Sequence, residues 1–150
     1  MSTLAKEYSD LDRALDEVRT VLQEWAAEHE VTPAPSGETL RYTQLVLHEW
    51  IANLLQHADF GNRTPSLQIR LKTENRHITC AVLDNSEGFN FQERLPSREE
   101  TMDDLPERGM GLRIINACTD SVSYTPTDSG RYRFEFSIPA DHDPWLSMLF

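Results

Sequence analysis

Apolar positions along this chain repeat with two periods, and the changes between them divide it into elements. Leu11, Leu15, Val18, Leu22 and Trp25 recur at helical spacing with charges between them, which predicts an amphipathic helix from Ser9 to near His29. Ser9 followed three residues later by Asp12 resembles a capping box at its start. Ser2 to Glu7 reads as a short preceding strand. VTPAPSG, from Val31 to Gly37, holds two prolines and a glycine and reads as a loop. A second helix then starts at Ser36 or Thr39. Its central stretch, QLVLHEWIANLLQHA from Gln44 to Ala58, places Leu47, Trp50, Ile51, Leu54 and Leu55 on a core-facing stripe. Asp59 to Pro65 ends it.

From there the period falls to two. Leu67, Ile69 and Leu71 alternate with polar residues, and Ile78, Cys80 and Val82 do the same, so two antiparallel strands meet at a turn near Glu74-Asn75. Residues 90–108 show no clear period and carry Pro96 and Pro106. A loop of that length in a small domain is usually functional or mobile. LRIINACT, opening on Gly109-Met110-Gly111, reads as a short helix. VSYT and RYRFEFSIP form two closing strands around the turn Thr127 to Gly130, and Leu146, Met148, Leu149 and Phe150 mark an apolar tail at 140–150.

Length narrows this to a single domain spanning 1–150, with its core at about 4–139. A hydrophobic fraction of 39% supports a folded globule. The formal charge of −11 argues against nucleic acid and anionic lipid as partners, though a local pocket can still hold phosphates on backbone N–H groups and Mg²⁺. No apolar run reaches membrane-spanning length and the first residues lack a signal-peptide pattern, so the expected location is cytoplasmic. Cys80 and Cys118 read as reduced core thiols.

Three polar clusters carry candidate chemistry. Glu49 and Asn53 lie one helical turn apart and share a face, an arrangement that is most often a solvated edge. The second strand runs into Asp84-Asn85-Ser86-Glu87-Gly88-Phe89. Arg108-Gly109-Met110-Gly111-Leu112 opens the short helix. Each cluster alone is weak, and a short Gly-x-Gly occurs often by chance.

In this order and spacing the clusters resemble the nucleotide-binding domain of the GHKL ATPases, the superfamily shared by DNA gyrase and sensor histidine kinases. Glu49-x-x-x-Asn53 is similar to its N-box, the segment from Asp84 to Phe89 to its G1 box, and that from Arg108 to Leu112 to its G2 box. Within the superfamily the chain most resembles the stand-alone anti-sigma-factor serine kinases of bacterial partner-switching systems, over about Leu4 to Pro139. The resemblance implies an α+β fold: a two-layer sandwich whose mostly antiparallel sheet is covered on one face by helices.

The resemblance also implies roles. Asp84 would accept from the adenine amine, and Asn53 would ligate Mg²⁺ beside the ATP phosphates. Gly88, Gly109, Met110, Gly111 and Leu112 would shape the nucleotide site, with phosphate at a glycine-opened helix start. Glu49 would be the catalytic carboxylate. Arg108 neutralises phosphate charge or is a solvated lid arginine, and His57 borders the pocket. The implied activity is an ATP-dependent protein-serine kinase that phosphorylates a STAS-domain anti-anti-sigma protein and sequesters a sigma factor, acting as a homodimer. Two departures favour an alternative, a nucleotide-gated or nucleotide-free adaptor: Ser86 replaces the first glycine of the G1 box, and Arg131 follows Gly130 where relatives carry threonine. A histidine-kinase ATPase half is a weaker third reading, since it would need its phosphoacceptor helix pair on another protein.

Overall fold

Strand alternation and helical spacing become two layers. The computed structural model describes residues 3–28, 37–74, 77–89 and 110–139. In chain order these form β1 (Thr3–Tyr8), α1 (Leu11–Glu28), α2 (Gly37–His57), β2 (Leu67–Glu74), β3 (His77–Asp84), α3 (Met110–Cys118), β4 (Ser121–Pro126) and β5 (Tyr132–Pro139). The strands make one sheet in the order β1-β2-β3-β5-β4, and every neighbouring pair is antiparallel. The expected turn at Glu74-Asn75, the 90–108 loop and the 140–150 tail lie wholly or partly outside the described residues.

Side chains two apart on a strand share a face, so one face of the sheet is apolar and the other mixed. Ile69, Leu71, Ile78, Cys80, Val82, Phe134, Phe136 and Ile138 point to one side and join Leu22, Trp25, Val46, Trp50, Leu54 and Ile115 of the helices in a single buried cluster. The opposite side carries Gln68, Arg70, Lys72, Arg133 and Glu135. It also carries a cavity of about 330 Å³ lined in part by Arg70, Lys72, Arg133 and Glu135, on the far side of the sheet from the polar clusters. Among the described residues the helices cover the apolar face only.

Helix α2 occupies the middle of the helical layer and packs on both α1 and α3. That position explains its wide apolar surface: Tyr42, Val46, Leu47, Trp50, Ile51 and Leu54 are all buried. Leu55, expected in the core, is instead 40% exposed. The 100° step from Leu54 carries it past the edge of the buried stripe. Thr39 Oγ1 donates to the carbonyl of Pro139 at 3.3 Å, tying the first turn of α2 to the end of β5. The helix ends where Asp59 Oδ1 accepts from the amide of Gly61, whose φ of 61° suits glycine.

The cap of α1 differs from the expected capping box. Asp10, not Ser9, is the N-cap: its Oδ1 accepts from the amides of Asp12 at 2.9 Å and Arg13 at 3.3 Å. Ser9 and Asp10 are both capping residue types, and spacing alone does not choose between them.

Both cysteines are free and buried. Burial pushes the Cys80 thiol well up, and pushes the Cys118 thiol up to about 11. Two outcomes follow. Asp10→Ala lowers unfolding free energy in urea by about 1 kcal/mol, whereas Ser9→Ala changes it by less than about 0.5; equal losses would return the cap to Ser9. The folded-state pKa of Cys118 is raised, so its contribution to stability is complete below the ordinary thiol value of 9.0 and is lost as pH rises toward about 11. The stability gap between wild type and Cys118→Ala in denaturant titrations therefore holds steady up to pH 9 and moves against the wild type above it.

Candidate functional site

The carboxylate at the end of β3 is the polar centre of the helix-facing layer. Asp84 is fully buried, on the same face as Val82 and Cys80. Burial pushes its carboxyl above the ordinary value of 3.8, while hydrogen bonds from Ser86 and Tyr124 and the positive charge of Arg131 pull it back down. Its Oδ1 accepts from the Ser86 amide at 3.0 Å and from the Ser86 hydroxyl, and its Oδ2 accepts from the Tyr124 hydroxyl at 3.2 Å.

Ser86 is thus accommodated by hydrogen bonding at the glycine position. The Gly88 amide donates to Ser86 Oγ at 3.0 Å, so the hydroxyl hydrogen of Ser86 is directed at Asp84. Gly88 takes the left-handed conformation in this loop, with φ of 76°. The Tyr132 ring lies over it: a Cβ at Gly88 would stand 2.5 Å from Cζ of Tyr132. Tyr132 is the register partner of Asp84 across the β3–β5 ladder, which puts its ring on the same face.

Aromatic contacts join this corner to α2. The Trp50 ring stacks on Phe134 at 3.9 Å, meets Tyr124 edge-on at 4.8 Å and stacks on Phe89 at 5.5 Å. Phe89 also lies 6.3 Å from His57. Trp50 and His57 are two helical turns apart, so Phe89 spans the stretch of α2 that holds Asn53. The first two polar clusters are thereby brought to one edge of the helical layer. His57 borders that edge and is exposed.

Asn53 is half-buried, and its Nδ2 donates to the carbonyl of Glu49 at 2.9 Å. With the NH₂ end held by its own helix, the amide oxygen is the end left to serve as an oxygen ligand. That suits a hard cation such as Mg²⁺, which takes few protein ligands when phosphate oxygens supply the others. Among the described residues no group of three His, Cys, Asp or Glu side chains could hold a metal unaided. Glu49 is half-buried, one turn before Asn53.

The third cluster is described in part. Helix α3 begins at Met110, with Gly111 and Leu112 in its first turn, and packs on α2. Arg108 and Gly109 lie outside the described residues. Arg131 follows the β4–β5 turn, where its carbonyl accepts from the amide and the hydroxyl of Thr127, both at 2.8 Å. The sequence reading did not anticipate Tyr124 and Tyr132 beside Asp84. The usable signal was register: pairing β5 with β3 sets Tyr132 opposite Asp84, and pairing β4 with β5 sets Tyr124 opposite Phe134.

Comparison with known proteins agrees with this architecture. Residues 8–132 match the family model described as the histidine kinase-like ATPase domain. The serine-protein kinase RsbW of Bacillus licheniformis is 27% identical over 101 residues, covering 63% of this chain and 62% of that protein. The match thus spans less than two thirds of the relative's length. The catalytic domain of histidine kinase ThkA, in a nucleotide-free form, superposes with a TM-score of 0.50 at 12% identity, covering 93% of this chain and 99% of that one. At that identity the likeness is one of fold. Among the described residues no helix is long and apolar enough to cross a membrane.

The Gly88–Tyr132 contact makes a measurable difference between glycines. Gly88→Ala combines backbone strain with steric overlap and is expected to cost roughly 2–4 kcal/mol, whereas Gly130→Ala, at a φ of 81° with open space around it, costs about 1. Urea unfolding measures both, and equal losses would mean that the Tyr132 ring moves aside freely. With its α+β architecture of one antiparallel sheet backed by helices, and with residues 8–132 matching the family model, the chain belongs to the histidine kinase-like ATPase domain family.

Proposed function

We propose that this protein is an ATP-dependent protein-serine kinase that also docks a partner regulator. The observation that carries the reading is a buried carboxylate, Asp84, set among aromatic rings and joined through them to the edge of α2 that bears Asn53 and Glu49. Similarity to a serine-protein kinase supports the choice of reaction.

In this reading Asp84 accepts a hydrogen bond from the 6-amino group of adenine, which disfavours guanine because a carbonyl stands at that position. The phosphates run toward the start of α3, where free backbone N–H groups and the helix dipole favour anions. Gly88 and Gly111 keep the backbone accessible; the family resemblance adds Gly109, Met110 and Leu112 to the nucleotide site and gives Arg108 the part of neutralising phosphate charge. Asn53 would hold Mg²⁺ through its amide oxygen, and a bound ion would supply positive charge beside the phosphates. Glu49 orients the serine hydroxyl of the substrate and takes its proton. The serine oxygen bonds to the γ-phosphorus, the bond to the bridging oxygen breaks, and ADP departs.

The substrate class is a STAS-domain antagonist, and the sequestered regulator is a sigma factor, in a cytoplasmic switch. A phosphate brings a charge of about −2 at neutral pH and disfavours redocking on a chain whose own formal charge is −11. Phosphorylation thus releases the antagonist and frees this protein, as a homodimer, for the sigma factor.

A second reading, an adaptor without phosphotransfer, is favoured by the bonding of Asp84, since Ser86 and Tyr124 already supply three donors to the carboxylate with no ligand. Calorimetric titration with ATP and ADP, with and without Mg²⁺, separates the two. Binding that strengthens with Mg²⁺ and loses that gain in Asn53→Ala supports the kinase, and no heat at millimolar nucleotide supports the adaptor. Glu49→Ala is expected to keep its affinity for ATP while transfer to serine falls by about 10²–10⁴-fold. Transfer at the wild-type rate in that variant would remove Glu49 from the chemistry.

A further inference from the structure

We propose that Tyr124 is a positioning residue for base recognition, its hydroxyl acting with that of Ser86 to leave Asp84 a single open acceptor position. This deepens the nucleotide-binding reading above and rests on it. An ionised carboxylate offers about four lone-pair positions. Two on Oδ1 are filled by the amide and hydroxyl of Ser86, and one on Oδ2 is filled by the hydroxyl of Tyr124. Among the described residues, one position on Oδ2 remains.

The donors are held in place. Tyr124 is 7% exposed and its ring lies against Trp50, Phe89 and Tyr132, so its hydroxyl has little freedom to leave Asp84. Ser86 is 2% exposed, and its oxygen is pinned by the Gly88 amide. Among the described residues, the titratable groups beside the carboxylate on the packed strands are Tyr124 on β4, Tyr132 on β5 and Arg131 next to it, none of which is an acid. One lone pair in a crowded, desolvated corner matches one N–H, as an exocyclic amine supplies. A base lacking that amine leaves the position empty and forfeits a charge-assisted hydrogen bond.

The experiment compares ATP with purine riboside triphosphate, which lacks only the 6-amino group, by calorimetry on the full chain and on Tyr124→Phe. Wild type is expected to prefer ATP by about tenfold or more, the scale of one hydrogen bond to a charged group. Tyr124→Phe keeps the ring and removes the hydroxyl. Its preference is expected to shrink at least threefold, while affinity for the deaminated nucleotide stays within about twofold. A purely structural tyrosine would lower the melting temperature and leave that ratio alone, and an unchanged ratio overturns the proposal. Equal binding of both nucleotides by the wild type also overturns it while leaving nucleotide binding intact. If wild type binds neither, the functional reading falls and this role with it. Should Tyr124→Phe fail to fold, Ser86→Ala reads the same ratio, because it vacates one of the three filled positions. An intact ratio there overturns the proposal equally.

Discussion

A single indole couples the helical layer to the functional corner. Trp50 has no solvent-exposed surface, and its ring meets residues from β5, from β4 and from the loop that follows β3. Aromatic pairs of this kind add about 0.5–1.5 kcal/mol each beyond the area they bury. More important is their geometry. Trp50 stands three residues before Asn53, while its partner Tyr124 holds Asp84, so a tilt of α2 would move both polar groups relative to one another. The placement of these candidate residues therefore depends on core packing as much as on the motif residues themselves.

Burying a carboxylate is costly unless donors replace the water it gives up. Asp84 shows both sides of this balance: burial raises its pKa, and three donors oppose that rise. The folded state holds the Asp84 proton more firmly than the unfolded chain does. The stability from this group is therefore present in acid, below 3.8, and is lost as pH rises through the folded value. In its ionised form the acid is a strain that the hydroxyls limit.

Much of the fold was readable from periodicity because each element buries one clear face. The alternation at Leu67, Ile69 and Leu71, and at Ile78, Cys80 and Val82, marked strands whose inward residues are those in the core. Helix α2 was readable as buried because its apolar residues cover more than a stripe, although Leu55 shows how one residue's step around the helix escapes such a count. The cap of α1 was ambiguous because Ser9 and Asp10 have the same chemistry. At the candidate site, motif spacing singled out Asp84 and Asn53 but not the aromatic chain between them. Trp50, Phe89, Tyr124 and Tyr132 look like ordinary core residues one at a time, and only strand register and helix packing set them around one carboxylate. Ser86 looked like a defect in a glycine position, since a hydroxyl's partner two residues back is invisible to a motif.

The β4–β5 hairpin gives the loop from Thr127 to Gly130 a role out of proportion to its size. Asp84 belongs to the central strand, but Tyr124 sits on an outer strand whose alignment depends on that reversal, closed by the bond between the Thr127 amide and the Arg131 carbonyl and by Gly130 in its left-handed conformation. Side chains change sides at every residue, so a slip of one position would swing the phenol to the far surface and strip the acid of a donor. The length of a surface loop thereby bears on the charge environment of a buried group, and lengthening or shortening it would alter the hydrogen bonding of Asp84 without changing any residue that contacts it.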